Sequence, residues 1–338
     1  MPSYDVLCIG SATVDTFLTI ERPFSSLKLG DKVLVKSVDK RSGGGATNSA
    51  SALVKLGLKA KTAAKLGDDE DGNFIQRELK AEGIENICHN RSKQQTDLAA
   101  IISSTKESDR IILVHKGAST VLSYRDLPAH KFNCSWIYLA TLTGKAQKTA
   151  LEIAALAKKK NIKLLFNPSL YLAQKGAKIL SPILRNSSIL VLNKEEARAL
   201  LKSSTFPSSI SSSSRSSLPS FEFLLTELQK HGPKIVVVTD GRRGLYALNK
   251  TLQGNIMYSL TKTPQVKIVH TAGAGDAFTS GFLAGLIKNY SFDDALRLGQ
   301  VNASSVIQHL GTKTGQLAEK EAKAMMKKYK IKITKKKI

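Results

Sequence analysis

The sequence predicts a doubly wound α/β fold: a mostly parallel sheet covered by helices on both faces, with a smaller β segment set apart. Three observations carry this. Short continuous apolar runs such as YDVLCIG at 4–10 read as strands buried on both faces. Such runs alternate with helical stretches of about ten to fifteen residues, the pattern of a parallel sheet with helices on each side. Glycine-rich turns follow strands or open helices at 43–45, 241–244 and 273–275, and ligands in such folds bind at the carboxyl ends of the strands.

Composition sets the outer bounds. With 338 residues, 42% of them hydrophobic, the chain is long enough for one large α/β domain or two modest ones. Its three cysteines, Cys8, Cys88 and Cys134, form no CxxC pair, so neither a disulfide frame nor a zinc site is expected, and a reducing cytoplasmic setting is. No run approaches the roughly eighteen apolar residues of a membrane span, so no membrane association is expected. The net charge of +24 favours polyanions in general. No aromatic-rich RNP-like strand or zinc-finger spacing accompanies it, so it reads as a solvated basic surface rather than a nucleic-acid site.

Taken in order, the strand at 4–10 is followed by β-type segments of mixed polarity at 16–20 and 32–38, suited to a sheet exposed on one face. RSGGGATN at 41–48 opens a helix to about 56, with Gly57 as its stop. Residues 61–83 read as strand, acidic turn and helix; the turn lacks the spacing of an EF-hand, and helix N-terminal charge explains it better. Segments 98–103 and 110–115 flank a polar turn and read as a hairpin. Strand and helix then alternate: strands at 136–140, 163–166, 189–192 and 234–239, helices at 145–159, 194–201 and 221–231, and a hairpin at 244–258. The serine-rich insert at 203–220 reads as a mobile surface loop. A last helix is predicted at 319–328, so that one domain spans 1–330 and a basic tail at 331–338 frays.

Several polar and glycine residues stand where this scheme puts a ligand. In GAGD, the amides of Ala274, Gly275 and Asp276 fall at a helix N-terminus, where unpaired N–H groups and the dipole favour an anion. Asp276 stands beside that seat, placed to take a proton from a hydroxyl; a bare N-cap is the other reading. The three glycines before Asn48 imply close approach to the backbone, yet neither the dinucleotide fingerprint nor a Walker A loop is present. Asn193 and Glu196 share a helix face, which suits either ordering of water around a hard cation or plain capping. Thr239, Gly241 and Gly244 follow a strand in a turn where a nucleotide can lie on backbone, and Asp15 stands at the carboxyl edge of the sheet.

The run HTAGAGDAF at 270–278 resembles the C-terminal signature DTxGAGDxF of the PfkB carbohydrate kinases, which share the ribokinase-like fold. It matches at Thr271, Gly273, Ala274, Gly275, Asp276 and Phe278. The resemblance covers about 4–315 with its motifs in order. It implies that Asp276 is the catalytic base and that Gly273, Ala274 and Gly275 hold the transferring γ-phosphoryl group. It gives sugar hydroxyls to Asp15, Gly43, Gly44 and Asn48, phosphate contact to Asn193, and Mg²⁺ through water to Glu196. Thr239, Gly241 and Gly244 become the ATP loop, and Asn302 lines the adenine pocket. The β segments within about 16–40 and 98–116 become a lid over the sugar, through which two copies pair as a homodimer.

The implied activity is ATP-dependent phosphorylation of a hydroxymethyl group on a ribose-like sugar or a nucleoside. Two departures bear on it. His270 replaces the aspartate that helps hold an activating monovalent cation, which leaves potassium dependence open. Thr13 stands where ribokinase has asparagine, and the strand end at 139–141 lacks its sugar-binding glutamate, which leaves the acceptor open among ribose, adenosine, inosine, cytidine and sugar phosphates. A non-catalytic polyanion-binding relative is the alternative of a different class.

Overall fold

A computed structural model describes residues 2–107, 110–205 and 219–338. Strand β1 (Tyr4–Ile9) leads into β2 (Thr13–Ile20) and β3 (Val35–Gly43), then helix α1 (Gly45–Lys55), β4 (Ala60–Ala63) and α2 (Glu70–Ala81). Next come β5 (Asp97–Ser104), β6 (Arg110–His115), β7 (Cys134–Leu139), α3 (Ala146–Lys159), β8 (Lys163–Phe166), the short α4 (Leu170–Ala173) and α5 (Ala177–Leu184). The second half runs β9 (Ile189–Asn193), α6 (Lys194–Thr205), α7 (Phe221–Lys230), β10 (Ile235–Thr239), β11 (Leu245–Thr251) and β12 (Gly254–Leu260). It closes with α8 (Ala274–Ile287), α9 (Phe292–Val306), α10 (Glu319–Tyr329) and β13 (Thr334–Lys337).

Among the described residues the large sheet has nine strands in the order β13-β12-β11-β10-β9-β8-β7-β1-β4. From β4 to β10 every pairing is parallel, and β11, β12 and β13 add an antiparallel edge. Strand side chains alternate between two separate cores, as the two-residue period requires. Leu7, Ile9, Leu164, Phe166 and Val236 pack with α3, α5, α6 and α7, whereas Val6, Cys8, Tyr138, Leu165 and Val237 pack with α1, α8 and α9 on the other face. Each fully buried Leu or Phe contributes roughly 1.5–3 kcal/mol. This rigid double-faced core fixes the carboxyl edge of the sheet, where the loops gather.

The second sheet has the order β3-β2-β5-β6 and stands apart as a lid. The predicted hairpin is β5–β6, with Leu98 opposite His115 and Ser103 opposite Arg110. Strand β3 begins at Val35 and runs on through Arg41 and Ser42, which pair with Asp15 and Val14, so this stretch belongs to the lid and not to the helix opening expected there. The chain turns into α1 only at Gly44, where φ is +97° and a Cβ would meet the Ser11 carbonyl at 2.5 Å. Both edges of the lid carry exposed apolar side chains: Leu34 and Val38 on one side, Ile111 and Leu113 on the other.

One further expectation needs correction. The basic tail does not fray at its end: Thr334–Lys337 pair with β12, and Lys335 and Lys336 bridge to Asp293 and Glu222 at 3.0 Å each. The β-branched run at 266–269 joins no strand; the Val269 amide instead donates to the Ile307 carbonyl at 2.8 Å, tying this loop to the end of α9. Most of the serine-rich insert, residues 206–218, lies outside the described residues. Cys8, Cys88 and Cys134 are free and buried. Among the described residues no helix is long and apolar enough to cross a membrane.

Candidate active site

Helix α8 begins where the sequence puts it, and Gly273 makes the beginning possible. Its φ is +81°, and a Cβ there would meet the Thr312 carbonyl oxygen at 2.2 Å. Only glycine tolerates both. The Ala274 amide is partly spent, donating to the Thr271 carbonyl at 3.3 Å, and the amides of Gly275 and Asp276 have no partner among the described residues. The anion seat is therefore shifted one residue along from Gly273, Ala274 and Gly275, towards the two amides still free at the positive end of the helix.

Asp276 lines this seat. Its Oδ2 accepts a 2.8 Å bond from Asn48 Nδ2. Desolvation raises its carboxyl to about 6, against the opposing bonds from Asn48 and Tyr138. Asn48 Oδ1 accepts from the Thr312 hydroxyl at 3.1 Å, and the same hydroxyl lies 3.2 Å from Asp15 Oδ2. Burial lifts Asp15 to about 6 as well, with Thr312, Lys116 and Lys313 opposing the rise. A continuous polar chain thus runs from Asp15 on the lid strand β2, through Thr312 and Asn48, to Asp276 on α8. Gln316 secures it by donating from Nε2 to the Asn48 carbonyl at 2.8 Å.

Two cavities of about 540 and 520 Å³ meet here, with Asn193, Thr239, Gly275 and Phe278 in the wall of both. The first also holds Asp276, Glu196, Ser11, Gly45, Thr141 and Lys116, and the lid residue Val114. The second holds Gly241, Arg242, Gly244, Ala274, Gln265 and the Gln300, Ala303, Ser304 face of α9. Asp15, Gly43, Gly44 and Asn48 stand behind the wall of the first cavity, not on it: Asp15 packs under Gly43, where a Cβ would come within 2.0 Å of its Oδ2.

Asn193 and Glu196 form a reciprocal cap at the start of α6. Asn193 N donates to Glu196 Oε2 at 2.8 Å, and Glu196 N donates to Asn193 Oδ1 at 2.9 Å. Both remain in the cavity wall, and Glu196 is raised to about 7, chiefly by desolvation and partly by the charge of Asp276. A carboxylate so placed beside an anion seat suits a hard cation that takes its other ligands from the anion and water. Of the two arginines in the turn after β10, Arg243 is committed to Asp240 by bonds of 2.8 Å each, and Arg242 lines the second cavity.

A family comparison decides what this arrangement belongs to. Residues 3–319 match the sequence profile described as pfkB family carbohydrate kinase. The chain belongs to this family. The kinase is 24% identical to 5-dehydro-2-deoxygluconokinase of Shouchella clausii (strain KSM-K16), over 96% of this chain and 95% of that protein. Its fold matches the crystal structure of ribokinase from Thermotoga maritima with a TM-score of 0.79 and 22% identity, covering 96% of this chain and 99% of that one. It matches Methanocaldococcus jannaschii nucleoside kinase with a TM-score of 0.75 and 23% identity, over 97% and 99% of the two chains. It is a sugar or nucleoside kinase, a phosphotransferase with an alcohol group as acceptor.

One expectation is overturned by the geometry of the kinase. Asn302 lines neither cavity; its Nδ2 donates to the Ala277 carbonyl at 2.8 Å and its Oδ1 accepts from the Leu317 amide at 3.0 Å, so it braces α8 against α9. The face of α9 that reaches the second cavity is one residue away, at Gln300, Ala303 and Ser304. His270, in place of the family aspartate, is buried edge-on against Phe17 with ring centroids 5.3 Å apart. Burial and the nearby Arg110 hold its pKa down at about 4, so it is a neutral ring that offers no charge to a cation. Sequence reasoning missed Thr312 and Gln316; the only signal was a glycine at each end of GTKTG, residues 311–315.

Proposed function

We propose that this kinase transfers the γ-phosphoryl group of ATP to a hydroxymethyl group of a sugar or nucleoside. The observation that carries the reading is the meeting of two cavities at Gly275, with Asp276 in the wall of the first and the glycine turn after β10 in the wall of the second. The acceptor lies in the first cavity under the lid, and the nucleotide in the second. Asp276 takes the hydroxyl proton as the oxygen attacks, and the free amides of Gly275 and Asp276 stabilise charge on the transferring group. Gly273 and Ala274 shape that turn. Thr239, Gly241 and Gly244 hold the nucleotide and Asn193 its phosphates, and Glu196 would hold, through water, the Mg²⁺ that neutralises them. Asp15, Gly43, Gly44 and Asn48 engage the acceptor once the lid closes. Release of ADP from Mg·ATP in the presence of free sugars and nucleosides tests the whole reading: silence with every acceptor, and no ATP binding, would end it.

The raised carboxyls set the pH dependence. Asp276 at about 6 and Glu196 at about 7 act in their ionised forms, which are lost as pH falls. kcat/KM should therefore decline below about pH 7 and steepen towards two decades per unit below about pH 6. A profile flat to about pH 5 would remove an ionised Asp276 from the rate.

Pairing through the lid is part of the same proposal. Leu34, Val38, Ile111 and Leu113 put apolar surface on its edges, where a second copy can cover it. Sedimentation equilibrium should find a dimer that Val38→Glu with Leu113→Glu dissociates; a wild-type monomer at micromolar concentration would refute the pairing.

A further inference from the structure

The proposed reaction leaves the acceptor unspecified, and the wall of the first cavity narrows it. Among the described residues lining that cavity, Lys116 is the one basic side chain. The lid places it there, directly after β6, and its Nζ lies 3.3 Å from Oδ2 of the fully buried Asp97 on β5.

A plain counter-ion role is the first explanation to weigh. Asp97 does not depend on it. Its Oδ1 accepts from the amides of Gly117 and Ser119 at 3.0 and 3.1 Å, and its Oδ2 accepts from the Ser119 hydroxyl at 2.6 Å. The lysine bond is the longest of the four, and the Lys116 side chain stays 35% exposed. An ammonium carries three donors, and only one is spent. Asp97 thus fixes where the cation stands without using it up.

The charge around Lys116 decides what it can bind. It lies near enough to Asp15 to oppose the rise in that carboxyl's pKa, and Lys313, the other basic group near Asp15, is committed to Glu78 and Glu82 at 3.3 and 3.0 Å. Asp97 is satisfied by three donors of its own, so the one ammonium in the cavity wall is left to pair with a single negative charge. A phosphate ester, with nearly two charges and three strong acceptor oxygens, calls for several cations or a guanidinium fork. Thr141, Thr143, Asn167 and Ser169 line the same cavity and supply donors and acceptors for hydroxyl groups.

Resting on the kinase reading above, we infer that the acceptor is a sugar acid: a polyhydroxylated carboxylate whose carboxylate is held by Lys116 on the lid while a primary hydroxyl meets Asp276. In the transfer, the hydroxyl oxygen forms a bond to the γ-phosphorus as the bond from that phosphorus to the β–γ bridging oxygen breaks. The hydroxyl proton passes to Asp276, and the products are the phosphorylated acid and ADP. The carboxylate takes no part in bond making. It orients the molecule and, by drawing Lys116 inward, couples acceptor binding to lid position.

The test compares Mg·ATP turnover on gluconate and its keto and deoxy derivatives with turnover on ribose, fructose, inosine and ribose 5-phosphate, using wild type, Lys116→Met and Lys116→Arg. Losing one charge-assisted bond predicts that Lys116→Met lowers the ratio of acid to neutral kcat/KM by about 30-fold, mostly through KM, and that Lys116→Arg restores most of it. A neutral sugar, nucleoside or sugar phosphate that outperforms every acid, with a ratio indifferent to Lys116→Met, overturns the inference and leaves the kinase reading standing. Absence of turnover on all acceptors counts against the kinase reading instead. Calorimetry with gluconate then decides the carboxylate site alone: binding abolished by Lys116→Met supports it, and no binding to wild type overturns it.

Discussion

Asp276→Asn is expected to lower kcat by about a thousandfold while Mg·ATP affinity stays within about threefold of wild type. The change removes the proton acceptor and little else, because the Asn48 amide can donate to the new amide oxygen as it does to Asp276 Oδ2 at 2.8 Å. The same variant should be more heat-stable at alkaline pH. The carboxyl is raised from 3.8 to about 6 in the folded protein, chiefly by desolvation. A raised carboxyl favours folding below its unfolded pKa; this contribution is lost as pH climbs through the folded value, above which a buried charge remains. Removing that charge returns at most roughly 3 kcal/mol. Turnover and melting temperature are thus predicted to move in opposite directions, which separates a chemical role from damage to the fold. Near-normal turnover would take the base role away from Asp276.

Gly273→Ala should cost activity and stability together, by about a hundredfold in kcat/KM and several degrees in melting temperature. At φ +81° an alanine is strained, and its Cβ would press on the Thr312 carbonyl at 2.2 Å. The pressure falls on the residue that holds Asp15 and Asn48, and Asn48 in turn positions Asp276. Gly275→Ala is the informative contrast. A Cβ there meets no atom within 4 Å, so the fold should keep its melting temperature. The methyl group would nevertheless stand in the wall shared by both cavities and obstruct the transferring phosphoryl group, so turnover should still fall at least tenfold. Loss of stability in Gly275→Ala, or none in Gly273→Ala, would contradict the geometry. Circular dichroism melts beside the ADP-release assay measure both.

Much of this arrangement was legible in the sequence. The apolar run of β1 and the alternation of strand and helix after it state the double-wound sheet, because a strand buried on both faces has few other sequences open to it. The glycines before α8 and α1 announce backbone that something must approach. What stayed hidden has a common cause. Thr312 lies 297 residues from Asp15 and 264 from Asn48, and a hydroxyl that bridges two distant side chains leaves no local pattern. Asn302 shows the converse: an amide on the right helix, turned inward to brace two backbones. The pair Asn193 and Glu196 carries two meanings at one spacing, since the geometry that caps a helix also leaves a carboxylate in the cavity wall. The tail misled because lysine is a poor strand former in isolation, while a ready edge at β12 and facing carboxylates at Asp293 and Glu222 supply what it lacks.

The lysines of β13 also bear on whether another strand can extend the large sheet. An antiparallel sheet ending in an open strand invites another strand to continue it. Here that border presents Lys335, Lys336 and Lys337 in succession, on a chain whose net charge is already +24. A second molecule aligned along the same border would bring like charges together along its whole length. That border of the large sheet is therefore closed to continuation by a second copy.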